Sequence, residues 1–340
     1  MSGPQAPSGF HAPAFKADGA RGPEVSVVVC TRNRAAYLAR ALESLKGQSL
    51  PAEIFEILVV DNASSDDTRA QVERAARAQS NLVYLHEPAP GLSQARNTGW
   101  RSAGTPLVAF LDDDAVAHPD WIEKMLRAFR KAEPAADCVG GRIEPIWEAP
   151  RPAWLTDELT APLTVLLWDR PPGPLEAGRW VAGANMAFTR HILEELGGFS
   201  TGLGRKGNNL LSNEEVLMQE AIRRRGGTVW YDPAVVVGHH VPAARMTRAF
   251  MRRRYWWQGI SQAATRRRLE PVPSGKRAAK ALRYALGLLK PGRFAGLVFP
   301  FLGRRGFVRK CLALERAGLA YGMLIPGPSG NREDMGEDVS

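Results

Sequence analysis

The chain has 340 residues, 44% hydrophobic and 24% charged, which is the balance of a globular protein with enough apolar material for a substantial core. Its longest apolar stretch near the C-terminus, Phe294 to Leu302, is broken by Pro300 and is far shorter than the roughly 20 residues that cross a bilayer, and Met1 to Pro23 carries no basic, apolar leader; neither a membrane span nor a signal peptide is expected, and the chain reads as cytoplasmic. The net charge of +10 is unevenly placed, because residues 241 to 340 hold 20 Lys and Arg against 6 Asp and Glu while residues 1 to 240 hold 25 against 29; a slightly acidic body is joined to a basic tail suited to an anionic partner.

Residues 1–23, rich in Pro, Gly, Ala and Ser, read as a flexible arm. Val25 to Cys30 is a β-branched run between turn-forming residues and predicts a buried strand. Leu38, Leu42 and Leu45, with Ala41 on the same face, predict a helix ending at Gly47. The alternation repeats: strand Phe55 to Asp61, helix Asp66 to Ala78, strand Leu82 to His86, helix Leu92 to Ser102, strand Leu107 to Asp112. Such alternation means βαβ units, a mainly parallel sheet flanked by helices, and a ligand site at the carboxyl ends of the strands. Thr31, Arg32 and Asn33, then Asp61 and Asn62, then Asp112 to Asp114 all fall on that rim. After a helix Trp121 to Lys131 and a strand Cys138 to Ile143, the segment Pro145 to Gly178 packs seven prolines and three tryptophans into an irregular stretch expected to shape a substrate cleft. Order returns with a strand Trp180 to Phe188, a helix to Leu196, a glycine-rich turn from Gly197 to Gly207, a helix near Asn213 and a strand Thr228 to Asp232. Residues 241–325 read as a basic helical tail and 326–340 as a disordered end. Cys30, Cys138 and Cys311 lie too far apart for a zinc motif and read as reduced, buried thiols.

Asp112-Asp113-Asp114 closes an apolar strand. If the strand continues, Asp112 and Asp114 share one side while Asp113 faces the other. Two carboxylates placed so suit Mg2+ or Mn2+, which bridges to diphosphate oxygens and offsets charge on a departing nucleotide.

Four motifs carry a resemblance: Val-Val-Val-Cys-Thr-Arg-Asn-Arg at 27 to 34, Val-Val-Asp-Asn-Ala-Ser-Ser-Asp-Asp-Thr at 59 to 68, Gly-Leu-Ser-Gln-Ala-Arg-Asn-Thr-Gly at 91 to 99 and Phe-Leu-Asp-Asp-Asp at 110 to 114. In this order and spacing they resemble family 2 glycosyltransferases of the GT-A fold, over residues 24–240. The resemblance implies a Rossmann-like α/β/α sandwich with a nucleotide-binding half at 24–114 and an acceptor half at 115–240, the basic helices being an appendage. It also implies an inverting transferase that moves sugar from a nucleoside diphosphate donor, commonly UDP, to a hydroxyl of a glycan, a lipid-linked sugar or a small molecule, as in cell-envelope polysaccharide synthesis. Thr31, Asn33, Asp61, Arg96 and Asp112 would hold the nucleotide. Asp112 and Asp114 would hold the divalent cation, completed by a histidine at His239-His240, with His239 the better fit.

On the acceptor side, Val181-Ala-Gly-Ala-Asn-Met-Ala-Phe looks like the family's glycine-containing strand, so that Gly183, Asn185 and the neighbouring Trp180 would meet the acceptor sugar. Ser212-Asn-Glu-Glu-Val-Leu matches the family's acidic pair at a helix start, which makes Glu215 the general base and Glu214 the alternative. Trp147, Trp154, Trp168 and Trp180 could stack on sugar or fill the core. The stretch Arg245 to Arg268, interleaved with Phe250, Tyr255, Trp256 and Trp257, is compatible with anionic lipid headgroups on the inner face of the cell membrane, with a packed helical tail, and least with nucleic acid. A different class of reading is a catalytically inactive nucleotide-sugar-binding module that recruits partners through the tail; the intact acids argue against it.

Overall fold

The computed structural model describes residues 22–325 apart from 208, 272 and 300–302; the expected arm up to Arg21 and the expected disordered end lie outside the described residues. The first half is built as the pattern demands. Strands β1 (Val25–Thr31), β2 (Phe55–Asp61), β3 (Leu82–His86) and β4 (Leu107–Asp112) alternate with helices α1 (Ala35–Lys46), α2 (Thr68–Ala76) and α3 (Leu92–Ser102). They pair in parallel in the order β3-β2-β1-β4, with Thr31 beside Asp61 and Cys30 beside Asp112 at one rim. The period of two sorts the side chains: Val27 and Val29 pack with Leu38, Leu42 and Leu45 of α1 on one face, and Val28 with Val60 and Ala95 on the other.

The second half is mixed. A turn at Asp113 and Asp114 leads into β5 (Ala115–Ala117), followed by α4 (Trp121–Lys131), β6 (Cys138–Trp147), β7 (Gly173–Pro174), β8 (Met186–Thr189), α5 (Arg190–Glu195), α6 (Glu214–Arg224) and β9 (Val229–Val241). The sheet continues from β4 through antiparallel β8 to β6, β9 and β5, with β7 added to β9. Strand β6 runs past its expected end at Ile143 because it follows β9 in parallel register out to Trp147. Pro145 is accommodated there, since the pairing on that edge of β6, β8 over Cys138 to Gly140 and a bridge from Ile143 to Leu166, stops before it. Residues 180 to 182 are irregular and 183 to 185 turn in place of the expected strand, which therefore begins at Met186.

The basic tail is a packed layer. Helices α7 (Arg248–Leu269), α8 (Ser274–Leu286), α9 (Pro291–Val298) and α10 (Arg304–Leu324) follow β9. Met251 and Tyr255 of α7 join Leu155, Leu159 and Leu163 of the irregular segment and Phe307 and Cys311 of α10 in one cluster, while Trp256, Trp257 and Ile260 join Leu217 of α6 in another. The two long helices cross in near-backbone contact, for a Cβ on Gly259 would lie 2.0 Å from the Glu315 carbonyl oxygen and one on Gly318 would lie 2.1 Å from that of Trp256. The aromatics offered to headgroups by the sequence are thus turned inward. Among the described residues no helix is long and apolar enough to cross a membrane.

Candidate active site

The carboxyl rim of β1 and β4 opens on a cleft of about 390 Å3, bounded also by the 203–207 turn, the start of α6, β9 and the beginning of the helical tail. Asp112 ends β4; Asp113 and Asp114 sit in the turn, so it is the turn and not strand alternation that aims them. Asp113 is buried and accepts from Thr31 Oγ1 at 2.8 Å and Arg34 Nη1 at 3.0 Å. Burial pushes its carboxyl up to about 6, against the pull of Arg34. Asp114 Oδ2 accepts from Arg34 at 2.8 Å and Arg245 at 3.2 Å, and its Oδ1 lies 3.2 Å from His239 Nε2. Burial opposes the Asp114 charge, but His239, Arg245 and Arg34 together hold the carboxyl well below its ordinary range.

Asp112, Asp114 and His239 each present a ligand atom within 4.8 Å of the others. Two hard oxygens and an imidazole nitrogen fit a divalent cation of the Mn2+ or Mg2+ type. His240, adjacent in β9, faces away: its Nδ1 is 3.1 Å from Glu148 Oε1 and its ring meets Tyr37 edge-on. Alternation along the strand therefore places His239, and not its neighbour, beside the acids.

Across the cleft, Arg96 of α3 is buried with Nη1 2.6 Å from Glu214 Oε1 and Nη2 3.2 Å from Asp112 Oδ1. Burial works against its charge, but the two carboxylates overcome this and hold it firmly protonated. Arg96, expected to reach the nucleotide, lines the cleft and also forms an ionic strut tying α6 to β4. Glu215 lies on the next helical position, half-buried, and its Oε2 has no partner. Burial, then the Glu214 charge, push its carboxyl up to about 8 against Arg96 and Arg254. Both acids line the cleft and both leave Oε2 without a partner, but Glu214 is committed to Arg96 through Oε1, whereas the Glu215 side chain makes no ion pair among the described residues.

Other expected contacts fall differently. Thr31 lines the cleft but spends its hydroxyl on Asp113. Asn33 is exposed with φ of 54° and accepts from Ser65 N, joining the β1 and β2 loops; it does not line the cleft. Asp61 accepts from Ser64 N and from Tyr84 Oη, also behind the cleft wall. Asn185 cannot meet an acceptor as expected, because it is fully buried with Oδ1 accepting from Trp121 Nε1 and Nδ2 donating to the Arg142 and Val235 carbonyls. Trp180 packs edge-on to Trp168 outside the cleft. Gly183 lines it, but the atom that needs its missing side chain is Arg96 Nη2, which a Cβ would approach to 2.2 Å. Residues the sequence did not single out are Arg34, Arg245, Arg254 and Arg205, all on the cleft wall. Arg34 stood inside a quoted motif; the others carry no local signal that separates them from surface arginines.

Comparison with known proteins agrees with this architecture. Residues 26–180 match the model of "Glycosyl transferase family 2". The chain is 30% identical, over 70% of its length and 76% of the relative's, to glucosyl-dolichyl phosphate glucuronosyltransferase of Haloferax volcanii. It is 28% identical, over 88% of its length and 93% of the relative's, to the succinoglycan biosynthesis protein ExoM of Rhizobium meliloti. The fold matches that of a mannosyltransferase from Pyrobaculum calidifontis, solved with GDP-Man and Mn2+, at a TM-score of 0.57 and 23% identity over 90% of this chain and 89% of that one.

Proposed function

The chain belongs to glycosyltransferase family 2, and on that premise we propose that it transfers a sugar, with inversion, from a nucleoside diphosphate donor to a hydroxyl of a glycan or lipid-linked acceptor, Glu215 acting as general base. The observation that carries this is one cleft in which Asp112, Asp114 and His239 stand close enough to hold a divalent cation and in which Glu215, unlike Glu214, is a carboxyl outside any ion pair among the described residues. A bound divalent cation would supply charge to hold the diphosphate and to offset its growing negative charge as it leaves. Glu215 takes the hydroxyl proton as the acceptor oxygen attacks the anomeric carbon; the new C–O bond forms as the bond to the diphosphate breaks on the opposite face, and its electrons leave with the diphosphate. Arg96 keeps α6, and so Glu215, at a fixed station relative to Asp112. UDP is the donor base we favour; the GDP-Man complex of the Pyrobaculum structure makes guanosine the competitor to test.

The test is a thermal-shift screen of UDP- and GDP-sugars with and without Mn2+, on wild type and Asp114→Ala. One nucleotide series should stabilise the wild type only with metal, and the variant not at all; equal stabilisation of both proteins refutes cation-bridged donor binding. We also place the protein peripherally on an anionic membrane. Supporting this, Leu282, Leu286, Leu289, Phe294 and Val298 are exposed along α8, α9 and the link between them, among exposed Lys280, Arg283 and Lys290. Flotation with phosphatidylglycerol vesicles should carry the wild type and lose Leu286→Glu; flotation of both alike contradicts the placement.

A further inference from the structure

The cleft carries more positive charge than a donor bound through a metal requires, and the excess is local. Arg34, Arg96 and Arg245 are each paired with an aspartate or with Glu214. Arg254 is not so paired. It is 8% exposed, donates Nε to the Pro162 carbonyl and Nη2 to Ser212 Oγ, and leaves a buried Nη1 without a partner. Arg205, half-buried on the neighbouring wall, accepts from Leu92 N through its backbone carbonyl, but its side chain makes no hydrogen bond or ion pair among the described residues. A buried guanidinium with an unused donor facing a second cation is costly unless an anion joins them. Burial, then the Arg205 charge, push Arg254 down to about 10, and Arg205 likewise disfavours the charge on Arg245.

We propose that Arg254 and Arg205 form a phosphate-recognition subsite on the acceptor side of the cleft, so that the acceptor carries a phosphoryl group near its reacting hydroxyl. The side follows from position, and this step rests on the proposed role of Glu215. The donor diphosphate belongs with Asp112, Asp114 and His239, and an inverting base lies on the opposite face of the anomeric carbon. Arg254 is anchored to Ser212, three residues before Glu215, and its charge is felt by that carboxyl. A phosphate gripped there sits with the nucleophile and not with the leaving group. Planar, forked guanidinium donors match phosphate oxygens in pairs, a geometry that neutral sugars do not reward.

The experiment is calorimetric titration of protein saturated with UDP or GDP and Mg2+, using inorganic phosphate, farnesyl phosphate and farnesol. Farnesyl phosphate should bind the nucleotide-loaded protein, at least tenfold more weakly in Arg254→Gln and in Arg205→Gln, while nucleotide affinity in both variants stays within threefold of wild type. Arg205→Gln guards against misfolding, since the Arg205 side chain holds nothing else among the described residues and the substitution keeps its backbone bond to Leu92. Farnesyl phosphate binding more tightly than inorganic phosphate identifies a lipid-linked source, and equal binding a soluble one; farnesol should not bind in either case. Displacement of phosphate by nucleotide, loss of nucleotide affinity in the variants, or equal phosphate binding in all three proteins overturns the subsite. Failure of both nucleotides to bind would instead strike the donor reading, and phosphate binding to the unloaded proteins would still decide the roles of the two arginines.

Discussion

Replacing Gly183 by alanine separates two explanations for that glycine. The added Cβ would stand 2.2 Å from Arg96 Nη2 and 3.0 Å from its Cζ, where van der Waals contact needs about 3.5 Å, so the guanidinium must retreat by more than about 1 Å. It has nowhere free to go, being held between Glu214 at 2.6 Å and Asp112 at 3.2 Å. Overpacking costs about 1–3 kcal/mol and a broken charge-assisted bond about 1.5–3 kcal/mol, so a loss of about 3–5 kcal/mol is expected. At an unfolding entropy of roughly 0.6 kcal/mol/K for about 300 residues, Tm should fall by about 5–8 °C. Because Asp112 is both a strut partner and a cation ligand, Mn2+ affinity should change as well. In an Arg96→Lys background, where the narrower ammonium leaves room, the same alanine should cost less than half as much in a double-mutant cycle. Thermal unfolding within about 1 °C of wild type, with a raised acceptor KM as the sole defect, would refute the packing argument and return Gly183 to sugar approach.

Glu215→Gln should keep nucleotide affinity and lower kcat by about 10^2- to 10^4-fold, the usual worth of a positioned general base; retained turnover moves that role elsewhere. A base must be ionised, and a carboxyl at about 8 is protonated below that pH, so kcat/KM should climb about tenfold per pH unit up to about 8 and then level. A profile flat from pH 6 to 9 contradicts this. His239→Ala should weaken Mn2+ binding by at least about tenfold in an electron paramagnetic resonance titration, while His240→Ala leaves it unchanged. The reverse order would mean that β9 is read in the wrong register.

The first half of the fold was legible because β1, β2 and β4 are β-branched or apolar runs buried along almost their whole length, a pattern written in the local sequence. The second half was less so. The start of β8 is set by its partners β4 and β6, and the length of β9 by its register with β6, neither of which leaves a local mark. In the site, three successive aspartates and a histidine pair advertised a cation, and the structure brings Asp112, Asp114 and His239 together. Asn185 was misread because its amide satisfies backbone carbonyls far away in sequence, a demand invisible until β6 and β9 are folded side by side. Composition gave the tail its charge but not its direction. Of the arginines between 245 and 268, Arg245 and Arg254 turn toward the cleft, a choice made by the turn that follows β9 and by the packing of α7.

The close crossing of α7 and α10 has a consequence for anyone who would cut or exchange parts of this protein. A wall of the reaction chamber is borne on a helix whose seat is another helix some fifty residues later, so the C-terminal region cannot be trimmed as an accessory without dismantling the chamber. Chimaeras that graft a foreign C-terminal region after residue 240 would inherit the donor's choice of partner along with its shape. Substitutions at Gly259 or Gly318, remote from any reacting atom, would force the two helices apart, costing stability and displacing the chamber wall that α7 carries.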